Sequence, residues 1–455
     1  SSPGLRKNNT LIYIIFARNS IEMDLRLFKF GGASVRDADN IRKIGEIVGK
    51  YGENKLILVI SAMGKTTNAL EEVHKAMQSG EEAARERLDE IVLNHVQCAE
   101  ELGLKKEELE SRLKLFVENA FESLKKFKNL SSACIYDQLV SLGELFSTAL
   151  ISLFLEQEGF QAKWMDVRTI IQTDDNFRDA TVDFVSTQKE VDNVLVPLFD
   201  EADVIITQGF LGRAQNGMTV TLGREGSDYT AAILAYCLDV KELSIWKDVP
   251  GVLTADPRRF ENVEKIDKMS YKEAIEMSYY GAQVIHPKTI RPLQNKGIRL
   301  HVKSFMDPDA EGTIISEDGL LNYPPIVVIQ EDVVLMQISS RDFSFIAENH
   351  LSQIFDVLNR HRIKLCTMRN SAISFTICVR NPGKLELEKL EQELSEEFLL
   401  DLFKGLQLYT FRYANDQLIK KLIKNKVVLF EERMKYTIQL VAGPALGLRE
   451  KKLIN

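Results

Sequence analysis

Leu25-Arg26-Leu27-Phe28-Lys29-Phe30-Gly31-Gly32-Ala33-Ser34 is the stretch on which the reading of the fold turns. A six-residue strand pattern, apolar residues interspersed with basic ones, ends on a glycine pair, which places glycines directly after a strand and before a helix. Such a turn lets backbone N–H groups approach a phosphate closely, and the helix N-terminus adds a partial positive charge. A lysine beside it can neutralise a transferring phosphoryl group. The same residues also fit a plain strand-to-helix turn, so the rest of the chain must decide.

Outward from this strand, short β-rich runs alternate with helical stretches. Strands are predicted at 25–30, 56–61, 204–208, 219–222, 242–247 and 299–303, with helices at 137–156 and 227–238 among those between them. This is the order of a layered α/β domain, read over 23–312. Residues 71–129, rich in Glu, Lys, Leu and Ala at helical spacing, read as a helical subregion within it. After Tyr323-Pro324-Pro325 the order changes to strand 333–339, helix 347–360, strands 363–368 and 372–379, helix 384–398 and strand 405–413. That is the βαββαβ order of an α+β ferredoxin-like module. A helix at 416–424 and strands at 427–430 and 436–441 begin a second, incomplete copy, giving a tandem region over 326–442 and a tail at 443–455.

The 455 residues suggest about three domains. With 45% apolar and 27% charged residues, the composition is that of a globular protein. The 58 basic against 66 acidic residues leave a net charge of −8, which excludes a nonspecific nucleic-acid binder. Five cysteines with no C-x-x-C pair suit reduced thiols in the cytoplasm, with no disulfide or metal site expected. The apolar run Leu11 to Ala17 is far shorter than the ~20 residues of a membrane helix, and residues 1–22 read as an extension preceding the fold.

Several segments carry chemistry. Gly64-Lys65-Thr66 resembles the end of a Walker A loop, but its first glycine would fall at Val59, inside a strand. Gln208-Gly209-Phe210-Leu211-Gly212 and Leu222-Gly223-Arg224-Glu225-Gly226-Ser227-Asp228 flank a strand and open the helix at 227. Ser227 or Asp228 could cap that helix. Alternatively Arg224 clamps a carboxylate, and Asp228 orients a lysine or a metal. Trp246-Lys247-Asp248-Val249-Pro250-Gly251-Val252 and Ala255-Asp256-Pro257-Arg258 follow a strand at its carboxyl end, where open α/β sheets bind ligands. Gly281-Ala282-Gln283-Val284-Ile285-His286-Pro287-Lys288 lies between two helices. No G-x-G-x-x-G follows the first strand, which argues against a dinucleotide-dependent oxidoreductase.

In this order, and with Ser141-Leu142-Gly143-Glu144 added, these segments resemble the aspartate kinases of the amino-acid-kinase superfamily. The resemblance runs from Leu25 to about Val441. It implies that Lys29, Gly31, Gly32 and Ser34 hold the β- and γ-phosphates of ATP, and that Asp228 orders the lysine. It implies that Thr67, Glu144, Arg224 and Ser227 hold aspartate, with Arg224 on the α-carboxylate and Glu144 on the ammonium. Asp248, Leu253 and Arg258 match the nucleotide pocket. The sequence departs from the family at Ala33, where Ser or Thr is usual, at Glu225, where most members have Gly, and at Gln283, which is Lys in several. Glu225 must therefore face solvent or pair with a cation, and Lys288 stands in for the lysine at 283 in the nucleotide site.

The C-terminal region resembles paired ACT regulatory modules, with effector contacts expected at Ser339, Ser340, Asp342, Asn370 and Ser371. The implied activity is Mg²⁺- and ATP-dependent phosphorylation of the L-aspartate β-carboxylate, the opening step towards lysine, threonine and methionine. Feedback by lysine or threonine and a homodimer joined through the ACT modules are expected with it. No homoserine dehydrogenase domain is read in the chain, so a monofunctional kinase is expected. The alternatives are another amino-acid kinase of the same fold and an inactive ACT-based amino-acid sensor.

Overall fold

The computed structural model describes residues 25–126, 129–282, 285–342 and 344–444. The extension read at 1–22, the departure at Gln283 and residues 445–455 of the tail lie outside them. The chain forms two compact units. The first runs to Val252 and adds Asp267–Ile275 and Ile285–Gly319; the second comprises Leu253–Ile266, Glu276–Val284 and the chain from Leu320 onward.

The strands of the first unit are β1 (Leu25–Phe30), β2 (Lys55–Ile60), β3 (Ala162–Met165), β4 (Gln172–Thr173), β5 (Val204–Gln208), β6 (Leu211–Ala214), β7 (Thr219–Thr221), β8 (Glu242–Lys247), β9 (Lys268–Ser270), β10 (Arg299–Ser304) and β11 (Thr313–Ser316). Eight of them form one sheet in the order β3-β5-β2-β1-β8-β10-β11-β9, parallel from β3 through β10, while β4, β6 and β7 form a small second sheet. β1 lies at the centre between β2 and β8, and its residues alternate between the two faces. Phe28 and Phe30 point to one face, where Trp246 of β8 packs on both, with ring centroids at 5.6 and 5.9 Å. Lys29 therefore points to the other.

The helices are α1 (Ala38–Lys50), α2 (Thr66–Ala76), α3 (Glu81–Glu101), α4 (Lys106–Lys126), α5 (Ser132–Val140), α6 (Leu142–Gln157), α7 (Phe184–Glu190), α8 (Gly226–Leu238), α9 (Tyr271–Tyr279) and α10 (Pro287–Lys296). α1 starts where the Asp37 carboxylate accepts the Asn40 N–H. The helical subregion consists of α3 and α4 with most of α2. The single helix expected at 137–156 is two, α5 and α6, meeting at Ser141. The stretch Ser132–Gln157 is long and apolar enough to cross a membrane, yet 94% of its most apolar window is buried inside the protein. A helix apolar on every side is a core helix when its unit covers it on every side.

The second unit holds β12 (Ile326–Ser340), α11 (Glu348–Arg360), β13 (Leu365–Asn370), β14 (Ser374–Arg380), α12 (Lys384–Leu394), β15 (Phe398–Arg412), α13 (Asp416–Ile423), β16 (Lys426–Arg433) and β17 (Thr437–Pro444). The order β13-β14-β12-β15-β17-β16 makes one antiparallel sheet, whose first four strands have ferredoxin-like topology. α11 and α12 bury Ile354, Val357, Leu358, Leu387, Leu390 and Leu394 against one sheet face.

The sequence placed strand starts at 333 and 405, whereas both strands run fifteen residues through those points. Asp332 and Gly405 carry positive φ beside register shifts, so the chain bulges there and continues. Glycine and acidic residues resemble strand ends in sequence, and here they mark a bend. The strands of the apparently incomplete second copy are thus extended by the first part of β12 and the last part of β15.

Candidate functional site

The carboxyl ends of β1, β2, β5 and β8 lie side by side, and the glycine-rich turns leave from them. After β1, a short 3-10 turn spans Gly32–Val35, closed by the Ser34 N–H donating to the Gly31 carbonyl at 2.9 Å. The Gly64 N–H donates to the Gly32 carbonyl at 3.0 Å. A Cβ on Gly32 would stand 2.9 Å from the Ala62 carbonyl and 3.1 Å from that of Gly64. Only glycine lets the turns after β1 and β2 lie this close. Ser34 is buried, and Thr67, at the start of α2, is half-buried.

Lys29 and Asp228 meet at the centre. The Lys29 ammonium lies 2.6 Å from Asp228 Oδ1, and the Lys247 ammonium lies 3.9 Å from Oδ2. Burial pushes the Asp228 carboxyl up, but the charges of Lys29 and Lys247 outweigh it, and its pKa ends below the ordinary aspartate value. α8 comes this close to β5 because residue 209 is glycine; a Cβ there would stand 2.4 Å from Ser227 Cβ. The helix-capping role considered for Ser227 or Asp228 does not hold. The residue before α8 is Glu225, which makes no side-chain cap, and the Asp228 carboxylate turns to the two lysines instead.

Glu144 stands in the first turn of α6, 3% exposed. Its Oε1 accepts the Ala62 N–H at 3.1 Å, while Oε2 is buried with no hydrogen-bond partner among the described residues. Burial pushes its carboxyl up to about 8, against the smaller downward pull of the Ala62 N–H and the Lys29 charge. A buried acceptor left open in this way suits a cation brought by a ligand.

Arg224 is exposed and makes no hydrogen bond or ion pair among the described residues. The next residue is left-handed, Glu225 at φ 54°, a conformation that glycine adopts most readily. Glu225 is half-buried, and its carboxylate accepts the backbone N–H of His286 at 2.9 Å, so it joins two loops and pairs with no cation among the described residues. Lys288 donates to Asp179 Oδ1 at 2.8 Å and to the Leu222 carbonyl at 3.0 Å, bracing the base of the Arg224 turn. Asp248 is exposed just after β8. In the second unit, Leu253 is half-buried, and the exposed Arg258 pairs with Asp256 at 2.8 Å. The sequence reading did not single out Lys247. Its signal was alternation, since residues 245 and 247 share a face and Ile245 pairs with Lys29.

In the second unit, Ser340 Oγ donates to the Ser344 carbonyl at 2.7 Å, and Asp342 accepts the Ser344 N–H at 3.0 Å. Ser339 pairs with Ser374, and Asn370 with Phe375. Asn370 and Ser371 line an open cavity of about 360 Å³ with Gln337, Arg369, Thr376 and Phe403.

The amino acid kinase family model matches residues 24–304. Lysine-sensitive aspartokinase 3 of Escherichia coli is 33% identical over 392 residues, which cover 84% of this chain and 85% of that protein. The chain belongs to the aspartokinase family. Two crystal structures of E. coli aspartokinase III bear out the fold. The complex with aspartate and ADP, termed R-state, superposes with a TM-score of 0.77 at 28% identity, covering 92% of this chain and 96% of that one. The complex with lysine and aspartate, termed T-state, gives 0.76 at 29% over the same shares. The chain thus carries the layered α/β kinase of an aspartokinase, matched over residues 24–304, followed by β-sheet-rich ACT-type modules, and the protein is a phosphotransferase.

Proposed function

We propose that this aspartokinase transfers the γ-phosphoryl group of Mg-ATP to the β-carboxylate of L-aspartate, giving 4-phospho-L-aspartate. The observation that carries the reading is the buried Lys29–Asp228 pair beside Glu144, whose Oε2 has no partner among the described residues. An amino acid brings the ammonium that Oε2 awaits, and the Arg224 guanidinium, unpaired among the described residues, suits its α-carboxylate. Thr67 and Ser227 stand in the first turns of α2 and α8. The turn Gly31–Ser34 offers backbone N–H groups to the phosphates, and Asp248, Leu253 and Arg258 serve the nucleotide. Mg²⁺ enters bound to the phosphates, whose oxygens suit it. The acceptor carboxylate attacks the γ-phosphorus in line, and the protein contributes position and charge.

Lysine or threonine bound in the second unit, near Ser339, Ser340, Asp342, Asn370 and Ser371, sets the activity. A homodimer joined through ACT modules and a reducing cytoplasmic setting complete the proposal. The deciding experiment is ADP release with Mg-ATP and aspartate, glutamate or N-acetylglutamate, each with and without lysine or threonine. Aspartate-dependent release suppressed by one of the two supports the whole reading. Preference for another acceptor overturns the substrate, and indifference to both effectors overturns the regulation. Glu225, tied to His286, gives no support to an inactive sensor.

A further inference from the structure

We infer that Cys366 and Cys378 form a modification site, a dithiol that a low-molecular-weight disulfide such as glutathione disulfide closes reversibly to an intramolecular disulfide, and that closure shifts the response to the effector. The dithiol stands on the geometry of the sheet; the shift in effector response rests on the regulatory reading above.

Strand register brings the two residues together. β13 and β14 are antiparallel, with Leu365 opposite Val379 and Thr367 opposite Cys378, so the bulge between those pairs sets Cys366 against Cys378 as well. Opposed residues of an antiparallel pair have Cα atoms about 4.5–5.5 Å apart, inside the range of about 4.4–6.8 Å that a disulfide spans. Both side chains take the same face: Cys378 is buried with Leu335, Leu406, Phe430 and Val441, and Cys366 packs against that cluster. The two thiols stand within hydrogen-bonding reach of each other. Their surroundings differ. Cys366 is half-buried on a strand at the sheet edge, and the hydrogen bond from Cys378, helped by the charges of Arg380 and Lys364, holds its thiol below the ordinary cysteine range despite burial. The hydrogen bond to Cys366 and burial push the enclosed Cys378 thiol up. The other three cysteines are buried, which pushes Cys98 and Cys237 up to about 12 and Cys134 up to about 11. Cys366 is therefore the attacking thiol and Cys378 the resolving one.

The Cys366 thiolate attacks one sulfur of glutathione disulfide, forming a mixed disulfide and expelling one glutathione thiolate. The Cys378 sulfur then attacks Cys366 Sγ and expels the second. The two thiol protons pass to the leaving thiolates, so one glutathione disulfide is reduced to two glutathiones as the dithiol is oxidised. Closure takes the Cys366 thiol from Gln330 Oε1, to which it donates at 3.4 Å, and ties β13 covalently to its neighbour in the sheet. β13 ends at Asn370, which with Ser371 lines the open cavity described above.

The test incubates the full-length protein with glutathione disulfide, blocks the remaining thiols and maps peptides without reduction. Wild type should yield the Cys366 and Cys378 peptides joined and lighter by two hydrogens than the pair, release two glutathiones per chain, and return to the dithiol with dithiothreitol. Cys378→Ala should stop halfway, with glutathione retained on Cys366, and Cys366→Ser should show neither product. Cys98, Cys134 and Cys237 should stay free throughout. A wild type that keeps glutathione on Cys366 without closing overturns the inference, and so does Cys366→Ser releasing as much glutathione as wild type. Should Cys378→Ala fail to fold, the wild-type peptide map and Cys366→Ser decide. Aspartate-dependent ADP release is read in parallel. Closure should change turnover without effector less than about twofold, because neither cysteine belongs to the kinase site. The lysine or threonine concentration for half-inhibition should shift by about fivefold or more in wild type and stay put in Cys366→Ser. Inhibition curves that superpose before and after closure overturn the regulatory role. A chain that closes the disulfide yet responds to neither amino acid breaks the regulatory reading above and leaves the dithiol standing.

Discussion

The polar residues of the two units are held in opposite ways. In the kinase unit, Lys29, Asp228 and Glu144 are buried, and they meet partners far away in sequence that only the finished sheet brings together. In the ACT-type unit, Ser340, Asp342 and Ser371 find their partners within four residues, in turns that would form with little help from the rest of the fold. A buried ion pair adds little net stability, because desolvation offsets most of the attraction. The first set is therefore best explained by chemistry, and its removal must be felt throughout. The second set is locally satisfied and acquires a role only when a ligand arrives.

The most severe way to break this contrast is Lys29→Met. It leaves the Asp228 carboxylate buried with only the distant Lys247 ammonium, which should destabilise the fold by about 3 kcal/mol. Turnover should fall about 10³-fold, more in kcat than in KM. The pH dependence follows from the sign of the shift. Asp228 has its folded pKa depressed, so its stabilisation is present above the unfolded value and is lost as pH falls through the folded one. Without Lys29 that loss begins at higher pH, and urea titrations between pH 3 and 7 would show it. A Lys29→Met enzyme retaining more than a tenth of wild-type kcat would end the case for this centre.

Glu144→Gln probes the same unit more gently. Its folded pKa, near 8, lies above the unfolded carboxylate value. Between about pH 4.5 and 8 the folded chain thus holds a proton that the unfolded chain does not, and wild-type stability should decline with rising pH across that window. The glutamine variant should lack the slope. Aspartate, pairing its ammonium with Glu144, should release a proton on binding at neutral pH. Calorimetry in buffers of different ionisation heat would count it. An unchanged proton count in Glu144→Gln would remove Glu144 from the substrate site.

These residues also show what the sequence could and could not carry. β1, β5 and β8 were legible to the residue, because continuous apolar runs bounded by glycine or polar turns have few other readings. Lys29 and Asp228 were legible as members of one site through the motifs around them. The long strands through Asp332 and Gly405 were not, since a bulge borrows the residues of a turn. The bond from Glu225 to His286 was not either, for it joins loops sixty-one positions apart whose approach only the packed fold decides. Lys247 was hidden for a similar reason: its meaning depends on strand register.

For the ACT-type unit the contrast predicts a smaller and different effect. Ser340→Ala removes one hydroxyl that bonds within its own turn, so stability should change by no more than about 1 kcal/mol. If the turn receives an effector, the concentration of lysine or threonine needed for half-inhibition should rise about tenfold. Inhibition curves that superpose on the wild type would place the effector elsewhere.

The smallest effect belongs to Glu225, where two terms oppose each other. The left-handed backbone strains any residue with a Cβ by about 1 kcal/mol, and glycine would relieve it. The hydrogen bond from the His286 N–H to the half-buried carboxylate returns a similar amount, about 1 to 2 kcal/mol, and glycine would lose it. Glu225→Gly should therefore lie within about 1 kcal/mol of wild type. Glu225→Gln, which keeps an acceptor oxygen, should be near neutral. Glu225→Ala keeps the strain and loses the bond, so it should be the least stable of the three, by about 1 to 2 kcal/mol in chemical denaturation. If alanine matched the wild type, the bond would carry no weight, and the carboxylate at this position would be a tolerated departure from glycine rather than a strut between the Arg224 turn and α10.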